Sequence, residues 1–174
     1  MLFPGRNIFH SVFPFSFKEY LEAVSDISFD GNEADLINKA YPSGVIIDLF
    51  KKYLTWGGFP ELLHIENDAE KEITLNNYFD DMLERDILAD FPRMKNPEKL
   101  RELARYLAKN FGNRFSANSL AKHLNIAVAT VQDYLDKLVS SNLFVTVKAF
   151  HHSEKKVISS IPKVYCIDHG LALI

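Results

Sequence analysis

The sequence holds little of what would assign it at once to a class of protein. It has one cysteine, Cys166, among 174 residues, which excludes an internal disulfide framework and fits a reducing compartment. No apolar run approaches the roughly 18–20 residues that cross a bilayer. The N-terminal segment lacks the basic region and apolar core of a signal peptide. We therefore expect a cytoplasmic protein with no membrane partner.

Glycine is also scarce, yet two of the seven glycines are adjacent, in the segment Trp56-Gly-Gly-Phe-Pro60. A phosphate-binding loop would follow a strand and lead into Lys-Ser or Lys-Thr, whereas here the preceding pattern is helical and no glycine precedes a lysine. Because glycine tolerates positive φ and Pro60 suits a first helical turn, Gly57-Gly58 predicts a tight turn between two helices. Without a phosphate-binding loop, we do not expect this chain to be an enzyme by itself.

No spacing of side chains predicts a self-contained catalytic or metal site. His151 and His152 are adjacent and would point to opposite faces of a strand. Cys166 and His169 form one Cys-x-x-His pair, whereas a structural zinc site needs four ligands. The carboxylates of residues 80–90 share a helical segment and are interpreted as a solvated face. We predict no catalytic residue, no metal ligand and no cofactor bound by this chain.

Helical periodicity dominates the first 95 residues. Ser16, with Glu19 three positions on, predicts a capping box at the start of a helix over 17–26. Further helices are predicted over 33–41, after Ser43, and along the acidic segment 67–91. The predicted apolar side of that segment comprises Ile73, Leu75 or Tyr78, Phe79 or Met82, and Ile87.

A change of charge coincides with the prolines that end this helical region, Pro92 and Pro97. Residues 1–97 carry 9 Lys and Arg against 17 Asp and Glu, a net charge of −8, and residues 98–174 carry 11 against 6, a net charge of +5. We predict two units, a helical bundle over 1–95 and a second domain over 96–174. The basic balance of the second domain suits an anionic partner or is simply a solubility charge.

The second unit has the order of a winged helix-turn-helix. Three helical patterns occupy 97–112, 115–125 and 126–142, with Ser116 as an N-cap and Asn125 in the turn between the last two. Leu103, Leu107, Leu135 and their periodic neighbours are the predicted core. Two strand-like runs, 143–150 and 163–168, then predict a β-hairpin.

If this unit binds double-stranded DNA, the third helix enters the major groove by its first residues. Side chains there and near the hairpin are then expected to contact phosphates and base edges. The same helix also carries Asp133 and Asp136, which repel phosphate, and no arginine. A winged helix that packs on another domain or a partner protein is therefore the alternative. The predicted DNA-binding residues are Thr130, Gln132, Lys137, Lys148, Lys155 and Lys156.

Several short motifs occur in a characteristic order: GR at 5–6, FPFSFKEYL at 13–21, YLTWGGFPELL at 53–63, NYFDDMLERDIL at 77–88, the stretch 116–144, and KVYCIDHGLAL at 163–173. In this the chain resembles the prokaryotic AAA+-type ATPases often called archaeal ATPases, which carry a C-terminal winged-helix domain of unassigned function. The resemblance spans essentially the whole chain.

The resemblance implies a mainly α fold, with a helical lid-like bundle followed by a winged helix-turn-helix with a β-hairpin. It implies ATP and Mg²⁺ for the complete protein, although the chain has no G-x-x-x-x-G-K-[ST] motif to hold them. Arg6 is then the expected nucleotide-facing residue. We expect a non-catalytic fragment that couples its own ATPase module to DNA, or, as the alternative, a protein–protein interaction module.

Overall fold

The computed structural model describes residues 12–25, 43–89, 91–92 and 94–174. These residues are mostly helical with one small antiparallel sheet, so the prediction of a mainly α fold is confirmed. Arg6 and the helix predicted over 33–41 lie outside the described residues. Within the described ranges, no helix combines the length and the apolar character needed to cross a bilayer.

The described elements comprise seven α-helices, two strands and three shorter helical segments. The α-helices are α1 Phe17–Val24, α2 Ser43–Trp56, α3 Asp68–Asp81, α4 Pro97–Lys109, α5 Ala117–Leu124, α6 Val128–Ser140 and α7 Glu154–Ser159. The strands are β1 Phe144–Val147 and β2 Lys163–Cys166. Two 3₁₀ segments span Pro60–His64 and His169–Leu173, and a π-helical segment spans Met82–Leu88.

The start of α1 follows the predicted capping box. The Glu19 amide donates to Ser16 Oγ at 3.4 Å, and the Glu19 carboxylate accepts the Ser16 amide hydrogen at 2.8 Å. The bonds from the Ser16 backbone and side chain hold the pKa of the Glu19 carboxyl below its ordinary value. Two of the otherwise unpaired donors at this helix terminus are therefore satisfied.

The acidic segment turns a different side to the core than its α-helical periodicity predicts. Ile73 is 61% exposed, and Leu83, which was not predicted, is fully buried. Ile73 lies on α3, two residues and roughly 200° from the buried Leu75, and therefore points away from the core. After α3 the chain is π-helical, and the Ala89 amide donates to the Glu84 carbonyl five residues back at 3.0 Å. Because a π-helical turn holds more residues than an α-helical turn, Leu83 and Ile87, four residues apart, stay on the same side of the segment. The buried side chains are Leu75, Phe79, Leu83 and Ile87.

Part of the acidic face that was interpreted as solvated lies against α4. Arg105 contacts Asp80 at 2.6 Å, and Arg101 contacts Glu84 at 2.5 Å. Because all four side chains remain partly exposed, each pair contributes at most about 1 kcal/mol to stability. Their effect is to fix how α3 and the π-helical segment lie along α4.

One buried cluster crosses the predicted boundary between residues 95 and 96. It includes Leu62 and Phe79 from the first part of the chain and Leu103, Leu138 and Phe144 from the second. The division into two domains at that point stays a prediction. In packing terms, the helices on both sides contribute to the same core.

The predicted hairpin is present, but its strands are shorter than the strand-like runs. β1 and β2 pair antiparallel, with Phe144 opposite Cys166 and Val147 opposite Lys163. Between them the chain forms α7, which the hairpin prediction missed. The reason is local: Glu, Lys and Lys follow Ser153 and are good helix formers.

The end of the hairpin is joined to the Gly57-Gly58 turn by a buried carboxylate. Asp168, directly after the hairpin, is only 3% exposed. One of its oxygens accepts the Gly58 amide hydrogen at 2.7 Å, and the other accepts that of Gly170 at 2.7 Å. Hydrogen bonds to a charged group contribute roughly 1.5–3 kcal/mol each. This contact joins parts of the chain that are 110 residues apart.

Glycine is required on both sides of this junction. Gly57 has φ +81°, and a Cβ there would lie 1.8 Å from an Asp168 carboxylate oxygen. A Cβ on Gly170 would lie 2.4 Å from the Trp56 carbonyl oxygen. Gly57 therefore makes the predicted turn, and it also leaves room for the carboxylate.

We expect Gly57→Ala to lower the free energy of unfolding by about 2–4 kcal/mol, because the new methyl group displaces the carboxylate and strains the backbone. Urea titration followed by Trp56 fluorescence measures this. Gly44→Ala is the matched control, since in the described part of the chain no atom beyond its chain neighbours and its own helix backbone lies within 4 Å of a Cβ at that position. An equal effect of both substitutions would contradict the role assigned to Gly57.

Leu83→Ala should lower the free energy of unfolding by about 2–5 kcal/mol, because it leaves a cavity in the core. Ile73→Ala, on the same segment, should change it by no more than about 0.5 kcal/mol. Thermal unfolding followed by circular dichroism compares the two variants. A larger loss for Ile73→Ala would show that Ile73, rather than Leu83, lies on the buried side of the segment.

Candidate nucleic-acid interface

The second and third helices of the C-terminal half are held by local capping and a buried stripe. The Ser116 hydroxyl caps α5 by accepting the Ser119 amide hydrogen, and Asn125 ends it in the left-handed conformation with φ 54°. Ala121 is buried where α5 meets α6. As predicted, α6 buries Val131, Leu135 and Leu138, with Tyr134 beside them. Because this stripe packs into the core, the other faces of α6 point toward solvent.

The predicted DNA-binding residues of α6 do not form one surface. Thr130 and Lys137 are seven residues apart, close to two helical turns, and both line a groove on the side of segment 91–95. Gln132 lies on another side, in a groove between α6 and the hairpin. The structure therefore separates Gln132 from Thr130 and Lys137.

The groove beside residues 91, 92, 94 and 95 has a volume of about 560 Å³, and Lys137 is one of the residues that line it. The Lys137 ammonium pairs with the Asp133 carboxylate and lies 4.6 Å from the centre of the Phe91 ring. The Tyr134 hydroxyl donates to the Lys95 carbonyl at 2.5 Å. Burial, with a smaller effect of the Asp133 charge, raises the pKa of Tyr134. Lys137 is therefore already neutralised by a neighbour on its own helix.

The groove between α6 and the hairpin has a volume of about 580 Å³ and is lined by apolar, polar and charged side chains. Gln132 and Asp136 line it from α6, and Thr146 and Lys148 line it from the hairpin side. It thus brings together two predicted residues, Gln132 and Lys148, but also one carboxylate. An anion entering this groove would meet opposing charges.

The segment 148–162 between the strands, here called the wing, carries the other predicted lysines. Lys155 and Lys156 lie on α7 and are exposed. Between positions 142 and 167 these two and Lys148 and Lys163 are the basic residues, and Glu154 is the one acidic residue. The wing is also apolar, since Phe150 is 88% exposed and Ile158 is 72% exposed.

Asp168 is the residue that the sequence interpretation missed. Burial raises the pKa of its carboxyl above the ordinary value, although the Gly58 and Gly170 amides and His169 act in the opposite direction. The His169 ring nitrogen Nε2 contacts the Tyr53 carbonyl oxygen at 2.5 Å. The one available signal was the second glycine of the Gly57-Gly58 turn, which a simple helix end does not need. The Asp168 carboxylate and the His169 ring both contact backbone groups, and we interpret these contacts as stabilising the fold.

Cys166 and the side chains that could bind a metal ion were also compared with what a nucleophile or a metal site requires, within the described part of the chain. Burial raises the pKa of the Cys166 thiol to about 12, helped by the negative charge of Asp168. A thiol with so high a pKa is almost never a thiolate near neutral pH. Across residues 12–25, 43–89, 91–92 and 94–174, no group of three or more His, Cys, Asp or Glu side chains is placed to hold a metal ion.

Comparison with known proteins gives the class to which the chain belongs. Residues 47–174 match the family described as Domain of unknown function (DUF8612), and the chain is a member of that family. No solved structure matches it.

Three curated relatives are similar along most of the chain. An uncharacterized protein of Haemophilus influenzae is 27% identical over 175 residues, which cover 98% of this chain and 40% of that protein. Two uncharacterized proteins of Methanocaldococcus jannaschii are 26% identical over 172 residues and 30% identical over 168 residues. These alignments cover 94% and 87% of this chain, but 36% and 34% of those proteins. The chain thus spans two fifths or less of the length of these relatives.

We expect Cys166 to resist alkylation in the folded protein. At pH 8.5 an unfolded cysteine is about half thiolate, whereas a thiol with a pKa of about 12 is thiolate in less than about one molecule in a thousand. Iodoacetamide labelling followed by mass spectrometry should therefore be at least about 100-fold slower in native protein than in urea. Equal rates would show that the thiol is neither buried nor raised in pKa.

Proposed function

We propose that this chain couples an ATPase module to double-stranded DNA, and that residues 96–174 form a winged helix for that purpose. The order α4, α5, α6 and then an antiparallel hairpin supports this interpretation. So does the segment before α5, which runs beside β2: the Gly112 amide donates to the Val164 carbonyl at 2.6 Å, and that of Phe115 to Pro162 at 2.8 Å. A short extended segment before the second helix is typical of winged helices.

The ATPase part of the proposal rests on the motif order described above and on the length of the relatives. Each relative is more than twice as long as this chain, which leaves room for a nucleotide-binding module. ATP and Mg²⁺ would belong to that module, with Arg6 expected to face the nucleotide. The Gly57-Gly58 turn does not fit a triphosphate, because the Gly58 amide already donates to the buried Asp168 carboxylate. We assign no nucleotide chemistry to the described residues.

The observation that carries the DNA part is the charge of the wing. Lys148, Lys155 and Lys156 are exposed and project from a short segment that has Glu154 as its one acidic residue. Lysines in this number on a protruding element suit the closely spaced phosphates of a duplex. Because such contacts carry no base information, we propose binding with little sequence preference.

A protein partner is the second candidate, and the apolar wing favours it. Phe150, Ile158 and Ile161 all belong to the wing and are exposed. Clusters of exposed apolar side chains often mark protein interfaces. In that case the wing would pack against another domain or subunit and would bind no nucleic acid.

The proposed function is tested by reversing the charge of two adjacent wing lysines. The 174-residue chain should bind a labelled duplex of about 25 base pairs at about 50 mM salt, with affinity falling steeply as salt rises. The double variant Lys155→Glu/Lys156→Glu should lose at least about tenfold in affinity and show a shallower salt dependence. Fluorescence anisotropy measures both quantities.

The matched control is Lys51→Glu/Lys52→Glu, an adjacent lysine pair on α2 in the acidic half of the chain. It changes the net charge equally and should leave affinity within about twofold. Absence of binding by the unmodified chain at low salt would reject the DNA proposal and leave the protein partner.

A further inference from the structure

The tip of the wing presents an aromatic ring to solvent in an ordered turn. The Phe150 ring packs edge-on against the His152 ring, with ring centres 5.5 Å apart. The Ser153 amide donates to His151 Nδ1 at 3.0 Å, which closes the turn beside it. Phe150 nevertheless remains 88% exposed. An apolar ring held outward in this way has no role in the core of the chain.

The charges around Phe150 distinguish the wing from α6. Lys148 precedes the ring by two residues, and Lys155 and Lys156 follow it on α7. On α6, by contrast, the charges of Lys137 and Asp133 offset each other as a pair, and the Asp136 carboxylate is exposed. Phosphates would therefore be attracted to the wing and repelled from the outward faces of α6.

We infer that the wing tip enters the minor groove of double-stranded DNA, with Phe150 as a wedge between base steps and α6 held out of the major groove. Apolar wedges flanked by cationic side chains are a recurrent way to bind and kink DNA from the minor groove. The inference rests on the proposed function and adds the groove, the inserted residue and the bending. It differs from the sequence-based prediction in removing Thr130 and Gln132 of α6 from the contacts with DNA.

Insertion of a wedge has consequences that phosphate contacts alone do not have. The duplex should bend toward the major groove, because the wedge partially unstacks a base step and opens it on the minor-groove side. Flexible TA steps should be bound better than stiff A-tracts, since kinking a flexible step costs less. Binding through the wing lysines without insertion would give neither bending nor this preference.

The experiment uses the whole chain and duplexes of about 25 base pairs, labelled at both ends with a fluorophore pair and carrying either a central TA step or an A-tract. We expect energy transfer between the ends to rise on binding to the TA duplex. Phe150→Ala should abolish that rise and weaken binding about tenfold. Phe150→Leu should keep most of the bending, because leucine also serves as a wedge.

Phe13→Ala is the matched control, since Phe13 is an exposed phenylalanine in the acidic part of the chain. It should change neither affinity nor energy transfer. Netropsin, which occupies the minor groove, should displace the chain from an AT-containing duplex, whereas methyl green, which occupies the major groove, should not. Circular dichroism verifies that each variant is folded.

The outcomes distinguish a failure of the minor-groove inference from a failure of the proposed function. If the chain binds DNA but Phe150→Ala keeps the bending, or methyl green displaces the chain, the minor-groove mode is wrong and DNA coupling stands. If the unmodified chain binds no duplex at low salt, both are wrong. In that case the exposed wing is an interface for a protein.

Discussion

The carboxylate of Asp168 is the contact on which the rest of the arrangement depends. A buried charge is costly unless hydrogen bonds replace the water it loses, and the Gly58 and Gly170 amides supply those bonds. Because Gly57 has no side chain, the carboxylate can approach the turn closely. The end of the hairpin is thereby fixed to the turn after α2, and the last 3₁₀ segment is held against α2, α3 and α4.

Tyr53 extends this junction to the start of the described chain. Its hydroxyl donates to the Phe15 carbonyl at 2.9 Å, its own carbonyl contacts His169, and the Phe15 amide donates to Gly58 at 2.7 Å. The first helices, the glycine turn and the hairpin end are thus joined by one set of hydrogen bonds. For the proposed coupling role, these bonds would be the direct connection between the end of the hairpin and α2.

Features that depend on close neighbours in the chain were predictable from the sequence. The capping box at Ser16, the N-cap at Ser116 and the turns at Gly57 and Asn125 are all set within about four residues. Gly58, one of the two partners of Asp168, is 110 residues away, so no local spacing could indicate that contact. The π-helical segment escaped prediction because shifting a hydrogen bond by one residue leaves the sequence pattern helical. Its wider turn keeps Leu83 and Ile87 on the buried side that Leu75 and Phe79 begin.

The candidate interface shows why residue types alone did not define a surface. Thr130, Gln132 and Lys137 share α6, but its buried stripe turns them toward different grooves. Lys137 is neutralised by Asp133, so Asp136 dominates what remains of the outward charge of α6. The lysines of the wing have Glu154 as the one acidic residue within the segment 148–162. The proposed winged-helix interpretation therefore depends on the order of helices and strands, and the proposed contact with an anionic partner depends on the exposed lysines of the wing.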